Sequence, residues 1–299
     1  MRPCERWPAM PARVGKTTLP QALGSSPSSM KTLVLANQKG GVGKSAVATL
    51  LAQYFVKTGL RVLAVDLDHQ GNTTNAIQRS QRACVAEVKT DALLATMSAD
   101  VPRERYVLVP SGQGLVFLER QATLHNAFAH NFRAFVQMVD DRFDVCVVDT
   151  NPSPDIRMVA ALISADFVLS PIQLNDEAIQ GVRALYADPR AGIPNIKARL
   201  NPKLQLIGVL PTMVEATPFQ KRNFKVLIEK YLSLMIRMGP EGERLASIPK
   251  RSAIAEAQGD GQLLWEMKKT AAREAWIEIE PVLRHLAGIV LKGSAGHGD

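Results

Sequence analysis

Ala36-Asn37-Gln38-Lys39-Gly40-Gly41-Val42-Gly43-Lys44-Ser45 is the stretch whose reading decides the fold. It follows a β-rich run at 32–36 and opens an amphipathic stretch at 45–57. Glycines let backbone N–H groups turn inward around a phosphate, and a helix N-terminus adds the positive end of its dipole. In that setting Lys44 reaches the β- and γ-phosphates of ATP, and the Ser45 hydroxyl binds Mg²⁺. Gly40, Gly41, Val42, Gly43, Lys44, Ser45 and Ala46 are then the nucleotide-binding residues. The strict pattern G-x-x-x-x-G-K-[ST] fails at its first position, where Gln38 stands for glycine. A lysine, Lys39, instead precedes the double glycine.

Two acidic strand ends sit where such a loop needs them. An apolar run at 61–65 ends in Asp66-Leu67-Asp68-His69-Gln70, and another at 143–148 ends in Asp149-Thr150-Asn151-Pro152. Ligands of open α/β sheets bind at the carboxyl ends of the strands. Carboxylates there can hold a metal or position a water. A second chemistry competes: Gly41-Val42-Gly43-Lys44-Ser45-Ala46 also reads G-x-G-x-x-A, and Asp66 follows at the distance of a ribose-binding acid. The Gly-Lys-Ser triplet and the second acidic strand end weigh against that dinucleotide fingerprint. Protection by ATP against protection by a nicotinamide cofactor separates the two.

Further out, apolar runs at 106–109, 167–170 and 206–210 alternate with amphipathic stretches at 126–140, 177–186 and 219–232. Strands alternating with helices predict an α/β fold, a mostly parallel twisted sheet with helices on both faces, of the P-loop NTPase type. Residues 80–105 give no clear pattern, and 261–292 read as helical. The segment 1–29 carries five prolines and a Gly-Ser-Ser-Pro-Ser-Ser run, which predicts a disordered extension. Its Gly15-Lys16-Thr17-Thr18 lacks a preceding strand and is read as chance. The domain is expected at 30–292, with a flexible tail at 293–299. With 46% hydrophobic and 21% charged residues the composition is that of a globular protein, and no apolar run approaches a membrane span. Three widely spaced cysteines fit neither a disulfide framework nor a zinc knuckle, which suits a reducing cytoplasm. The net charge of +8 favours anionic partners.

Lys39–Ser45, Val65-Asp66-Leu67-Asp68-His69-Gln70-Gly71-Asn72 and Val147-Val148-Asp149-Thr150-Asn151-Pro152 together resemble the deviant Walker ATPases of the ParA/MinD family. Ser170-Pro171-Ile172-Gln173, Gln180-Gly181 and Ile254-Ala255-Glu256-Ala257 favour its ParA branch. The opening at Met30 and the basic run Lys268-Lys269-Thr270-Ala271-Ala272-Arg273 are similar to IncC-type plasmid partition ATPases. The resemblance implies a homodimer that encloses two ATP molecules, binds DNA non-specifically and is stimulated by a ParB-type partner. It implies partition of plasmid or integrated-element DNA by a cytoplasmic, nucleoid-associated protein; positioning of a protein cargo or divisome component is the alternative. It makes Lys39 the signature lysine reaching across the dimer, Lys44 the phosphate lysine in cis, and Asp68 the residue that positions the attacking water. Ser45 and Asp149 become the metal residues, with Asp66 in the same network. His69 departs from the proline usual after the second aspartate, and Asn151 from the alanine usual before Pro152. Both departures put hydrolysis rate and switching in question.

Weaker signals remain. Arg222, Lys250, Arg251, Lys268 and Lys269 lie in three basic clusters of the C-terminal third. A charge cluster is ordinarily a solvated face; the resemblance turns these into candidate DNA contacts. The apolar stretch at 281–291 resembles a membrane-associating helix, but Arg284 and Lys292 alone give it too little basic character. It is expected to pack on the core.

Overall fold

The structure is a computed structural model that describes residues 29–96 and 100–293. The chain runs β1 (Lys31–Leu35), α1 (Lys44–Lys57), β2 (Val62–Asp66), α2 (Asn72–Ser80), β3 (Cys84–Val85), α3 (Thr90–Ala95) and β4 (Tyr106–Val109). It continues through α4 (Leu115–Leu118), α5 (His125–Met138), β5 (Val145–Asp149), α6 (Ile156–Ser164), β6 (Phe167–Gln173), α7 (Ala178–Ala187) and α8 (Ile193–Arg199). Then come β7 (Gln205–Thr212), α9 (Pro218–Tyr231), a small antiparallel hairpin of β8 (Arg237–Met238) and β9 (Arg244–Leu245), α10 (Ser252–Asp260) and α11 (Thr270–Lys292). The expected extension and tail fall almost wholly outside the described residues, as does Gly15–Thr18.

Seven strands form one parallel sheet in the order β3-β4-β2-β5-β1-β6-β7. The strands are apolar at consecutive positions because each face is covered. On β1, Leu33 and Leu35 pack with Leu51 and Phe55 of α1 and with Leu283 and Leu286 of α11. Val34, between them, joins Phe132 and Phe135 of α5 and Leu162 of α6 on the opposite face. The sheet is therefore sandwiched between two helical layers, and the mostly parallel α/β fold is as expected.

Three boundaries differ from the sequence expectation. Strand β2 ends on Asp66, which lies in register with Asp149 on β5, so both aspartates sit inside strand ends rather than after them. The patternless segment 80–105 holds β3, only two residues long, and the short α3, too little chain for a period to show. Residues 261–269 are not helical. Gly261, at φ +68, closes α10 in the left-handed conformation that glycine adopts without strain, and α11 starts only at Thr270. The apolar side of α11 is buried through Val282, Leu283, Leu286 and Val290, so this helix belongs to the core. Among the described residues no helix is long and apolar enough to cross a membrane.

Strand β1 lies between β5 and β6, both later in sequence. From β1 the chain crosses toward β2, and from β5 it crosses the other way, past β1 to β6; this reversal opens a crevice at the carboxyl ends of the strands. The glycine-rich loop fills that crevice.

Candidate active site

Loop 36–45 is fixed by side chains from neighbouring strands. Asn37 Nδ2 donates to the Pro171 carbonyl at 2.9 Å and lies 3.3 Å from Ser170 Oγ, while its Oδ1 accepts the Lys39 N–H at 2.8 Å. The Thr212 hydroxyl, at the end of β7, lies 2.7 Å from the Val42 carbonyl and 2.9 Å from that of Ile172. Gly43 sits at φ +78, a left-handed conformation that a side chain would strain, and forms the N-cap of α1. No side chain caps that helix. Its first N–H groups, which have no partner within a helix, face the loop with the dipole behind them. Lys44 is 6% exposed, and its Nζ donates to the Lys39 carbonyl at 3.0 Å across the loop. Burial lowers its basicity, and the charges of Asp149 and Asp68 partly restore it.

Three aspartates stand opposite. Asp149 is fully buried; its Oδ2 accepts from Thr73 Oγ1 at 2.7 Å, and the Ser45 hydroxyl is near enough to favour its ionised form. Its Oδ1 is buried without a partner. Burial raises the pKa of Asp149 to about 6 against the pull of Ser45, Thr73 and Lys44. Asp66 is pushed up further, to about 7, by burial and then by the charge of Asp149. Both oxygens of Asp66 are already engaged: Oδ1 takes the Asp68 N–H at 3.0 Å, and Oδ2 takes the Thr74 N–H and hydroxyl at 2.8 Å each. Asp66 thus braces the 66–74 turn, unlike Asp149 with its open oxygen. Asp68, 6% exposed, accepts the Gln70 N–H on Oδ1 at 3.0 Å, and its carbonyl accepts from Ser111 Oγ at 2.6 Å.

The fold therefore gathers the loop residues Gly40 to Ala46 with Asp66, Asp68 and Asp149. Lys39 points elsewhere, into an ion pair with Glu177 at the N-cap of α7. Among the described residues no cluster of three or more His, Cys, Asp or Glu is arranged as a metal cage. One hydroxyl and one open carboxylate oxygen suit Mg²⁺, which keeps waters and shares phosphate oxygens instead of taking an all-protein shell. Sequence reasoning missed Thr73 and Thr74, the hydroxyls that hold the carboxylates of Asp149 and Asp66, and Ser111, which holds the Asp68 carbonyl; two threonines opening a helix two residues after a glycine were the available signal. It also missed a cavity of about 610 Å³ lined by Val214, Lys221, Phe224, Pro249, Lys250 and Arg251. That cavity begins beyond β7, whose last residue touches the loop.

The basic candidates do not form one free surface. Lys250 bonds Glu215 at 3.2 Å, Arg251 pairs with Glu278 on α11, and Lys269 pairs with Glu256 on α10. The Arg222 guanidinium stacks over Phe219, 5.4 Å from the ring centre. Lys250 and Arg251 meet at the cavity; Lys268 and Lys269 lead into α11.

A sequence model of the AAA domain family matches residues 30–206. Protein IncC of Escherichia coli is 36% identical over 260 residues, 84% of this chain and 67% of that protein. The chromosome-partitioning ATPase Soj of Thermus thermophilus is 31% identical over 81% of this chain and 90% of its own length. Among solved structures, cobyrinic acid a,c-diamide synthase of Mycobacterium smegmatis with bound ADP and magnesium superposes with a TM-score of 0.64. It is 24% identical and covers 86% of this chain and 96% of its own, which shows a shared fold.

Proposed function

Since the chain belongs to the ParA-type family of partition ATPases that includes IncC and Soj, we propose that it hydrolyses ATP with Mg²⁺ to segregate DNA. In this account it dimerises on ATP, holds DNA without reading its sequence, and releases it when a ParB-type partner stimulates turnover. The cargo is a plasmid or integrated element. The observation that carries the ATPase is the uncapped start of α1 facing Lys44, Ser45 and the open, buried oxygen of Asp149.

A triphosphate would lie along the N–H groups of Gly40 to Ala46, displacing the Lys39 carbonyl as the partner of Lys44. Ser45 and Asp149 fit Mg²⁺, whose charge would neutralise the phosphate oxygens and favour the ionised form of Asp149. Asp66 holds the turn so that Asp68 faces the site, and Asp68 positions the attacking water. Phosphoryl transfer needs mainly such positioning and charge neutralisation. The cavity beyond β7, with Val214, Phe224 and Pro249 on its walls, suits the apolar faces of a base. In the single chain Glu177 neutralises Lys39. Dimerisation exchanges that carboxylate for the phosphates bound by the partner, so the lysine acts in trans. Residues 30–292 form the ATPase domain.

DNA affinity comes from Arg222, Lys250, Arg251, Lys268 and Lys269. Exposed ion pairs such as Lys250–Glu215 contribute roughly 0–1 kcal/mol, so DNA phosphates can displace their carboxylates. The ATPase assignment is tested by calorimetric titration with Mg-ATP. Lys44→Ala should abolish the binding heat while the variant stays folded, and unchanged affinity would reject the assignment.

A further inference from the structure

The two departures noted in the sequence, His69 and Asn151, are joined in space. Arg157, 6% exposed, forms a buried ion pair with Asp155: its Nε lies 3.2 and 3.1 Å from the two carboxylate oxygens, and Nη2 bonds to Oδ2. Its remaining arm, Nη1, reaches His69 Nδ1 at 3.2 Å. Guanidinium only donates, so Nδ1 is the acceptor of this contact. The same nitrogen lies 3.4 Å from Asp68 Oδ1, and Nε2 lies 2.7 Å from the Gln70 side-chain nitrogen. Asp155 also accepts the Asn151 Nδ2–H at 2.9 Å, and the Arg157 backbone N–H at 3.0 Å as the N-cap of α6. A carboxylate only accepts, which fixes the amide: the nitrogen faces Asp155 and Oδ1 faces away. That Oδ1 is buried without a partner.

An unbroken chain of polar contacts therefore runs from the turn carrying Asp68, through His69, Arg157 and Asp155, to Asn151, two residues beyond Asp149. A buried ion pair with well-made additional bonds is rigid, because loosening either partner strands a charge in low dielectric. We propose that Asp155 and Arg157, with His69 and Asn151, are positioning residues that lock the Asp68 turn to the loop after β5, so that the two strand ends move as one. No member of this set is placed on substrate. Each acts through Asp68 or through the loop of Asp149, and the catalytic consequence rests on the function proposed above.

Removing Arg157 would leave Asp155 buried and unpaired, so the test uses His69→Ala and Asn151→Ala, which keep the ion pair. Hydrogen–deuterium exchange on the nucleotide-free full-length chain reads the coupling without turnover. His69→Ala should speed exchange at amides 151–157, and Asn151→Ala at amides 68–71, each by about fivefold or more. Under Mg-ATP each single variant should lower kcat by about tenfold with ATP affinity within about twofold, and the double variant should be no slower than the slower single. Exchange changes confined to each variant's own loop, or rate losses that multiply, would overturn the brace. Reciprocal exchange effects in the two variants, with no ATP turnover by the wild type, would support the brace and refute the proposed ATPase.

Discussion

Two lysines four residues from each other's neighbouring glycines have opposite tasks, and substitution should separate them. Lys39→Ala removes the side chain paired with Glu177, not the one buried in the loop. It should retain ATP binding and lose ATP-dependent dimerisation by light scattering; a normal dimer would remove Lys39 from the trans role. Asp68→Ala should instead keep both and accumulate an ATP-bound dimer with phosphate release reduced at least about a hundredfold. Normal turnover in that variant would end its water-positioning role. The buried carboxylates add a pH signature. A carboxyl whose pKa is higher folded than unfolded costs stability as pH rises, because the unfolded chain ionises first. For Asp66, raised from 3.8 to about 7, and Asp149, raised to about 6, the loss begins near 4 and is complete above about 7. The denaturant midpoint of the nucleotide-free chain should fall across that window, and Asp149→Asn should flatten the fall. A midpoint equally pH-dependent in the variant would contradict it. The Gly-Lys-Ser triplet and the strand-end aspartates were legible because they are local. Thr73 and Ser111 were not, since their contacts with Asp149 and Asp68 cross 76 and 43 residues and leave no spacing to read.

At the scale of elements, sequence showed most where chain is buried on both sides. Consecutive apolar positions in β1, β2 and β5 placed the central strands, and the loop between β1 and α1 followed. It failed where an element is two residues long, as in β3, and at 261–269, which read as the start of the last helix although Gly261 closes α10 and α11 begins only at Thr270. The two layers depend on the alternation in β1. Phe132, fully buried under the sheet in α5, makes a direct test of the layer that does not carry the loop. Phe132→Ala should cost about 3–5 kcal/mol in chemical denaturation while ATP affinity in the surviving folded fraction stays unchanged. A loss below about 1 kcal/mol would mean that α5 does not cover the sheet as described.

For the whole molecule the question is whether nucleotide controls contact with DNA. Lys250, Arg251 and Lys269, from two of the three basic runs, prove to be engaged with Glu215, Glu278 and Glu256 from other segments. That pairing was invisible along the chain, because each partner comes from a different segment. It predicts weak DNA binding by the single chain. Pairing two subunits doubles the cations available to one duplex, which makes affinity nucleotide-dependent without base reading. Each phosphate contact releases counterions, so log K should fall with log salt by about 0.9 per contact. Fluorescence anisotropy of two unrelated duplexes, titrated across salt with ATP, with ADP and without nucleotide, tests this most directly. The account predicts binding with ATP alone, equal on both sequences, and a salt slope flattened in the Arg251→Ala, Lys268→Ala, Lys269→Ala triple variant. Absence of ATP-dependent DNA binding by the wild type would contradict it and leave a protein cargo as the thing positioned.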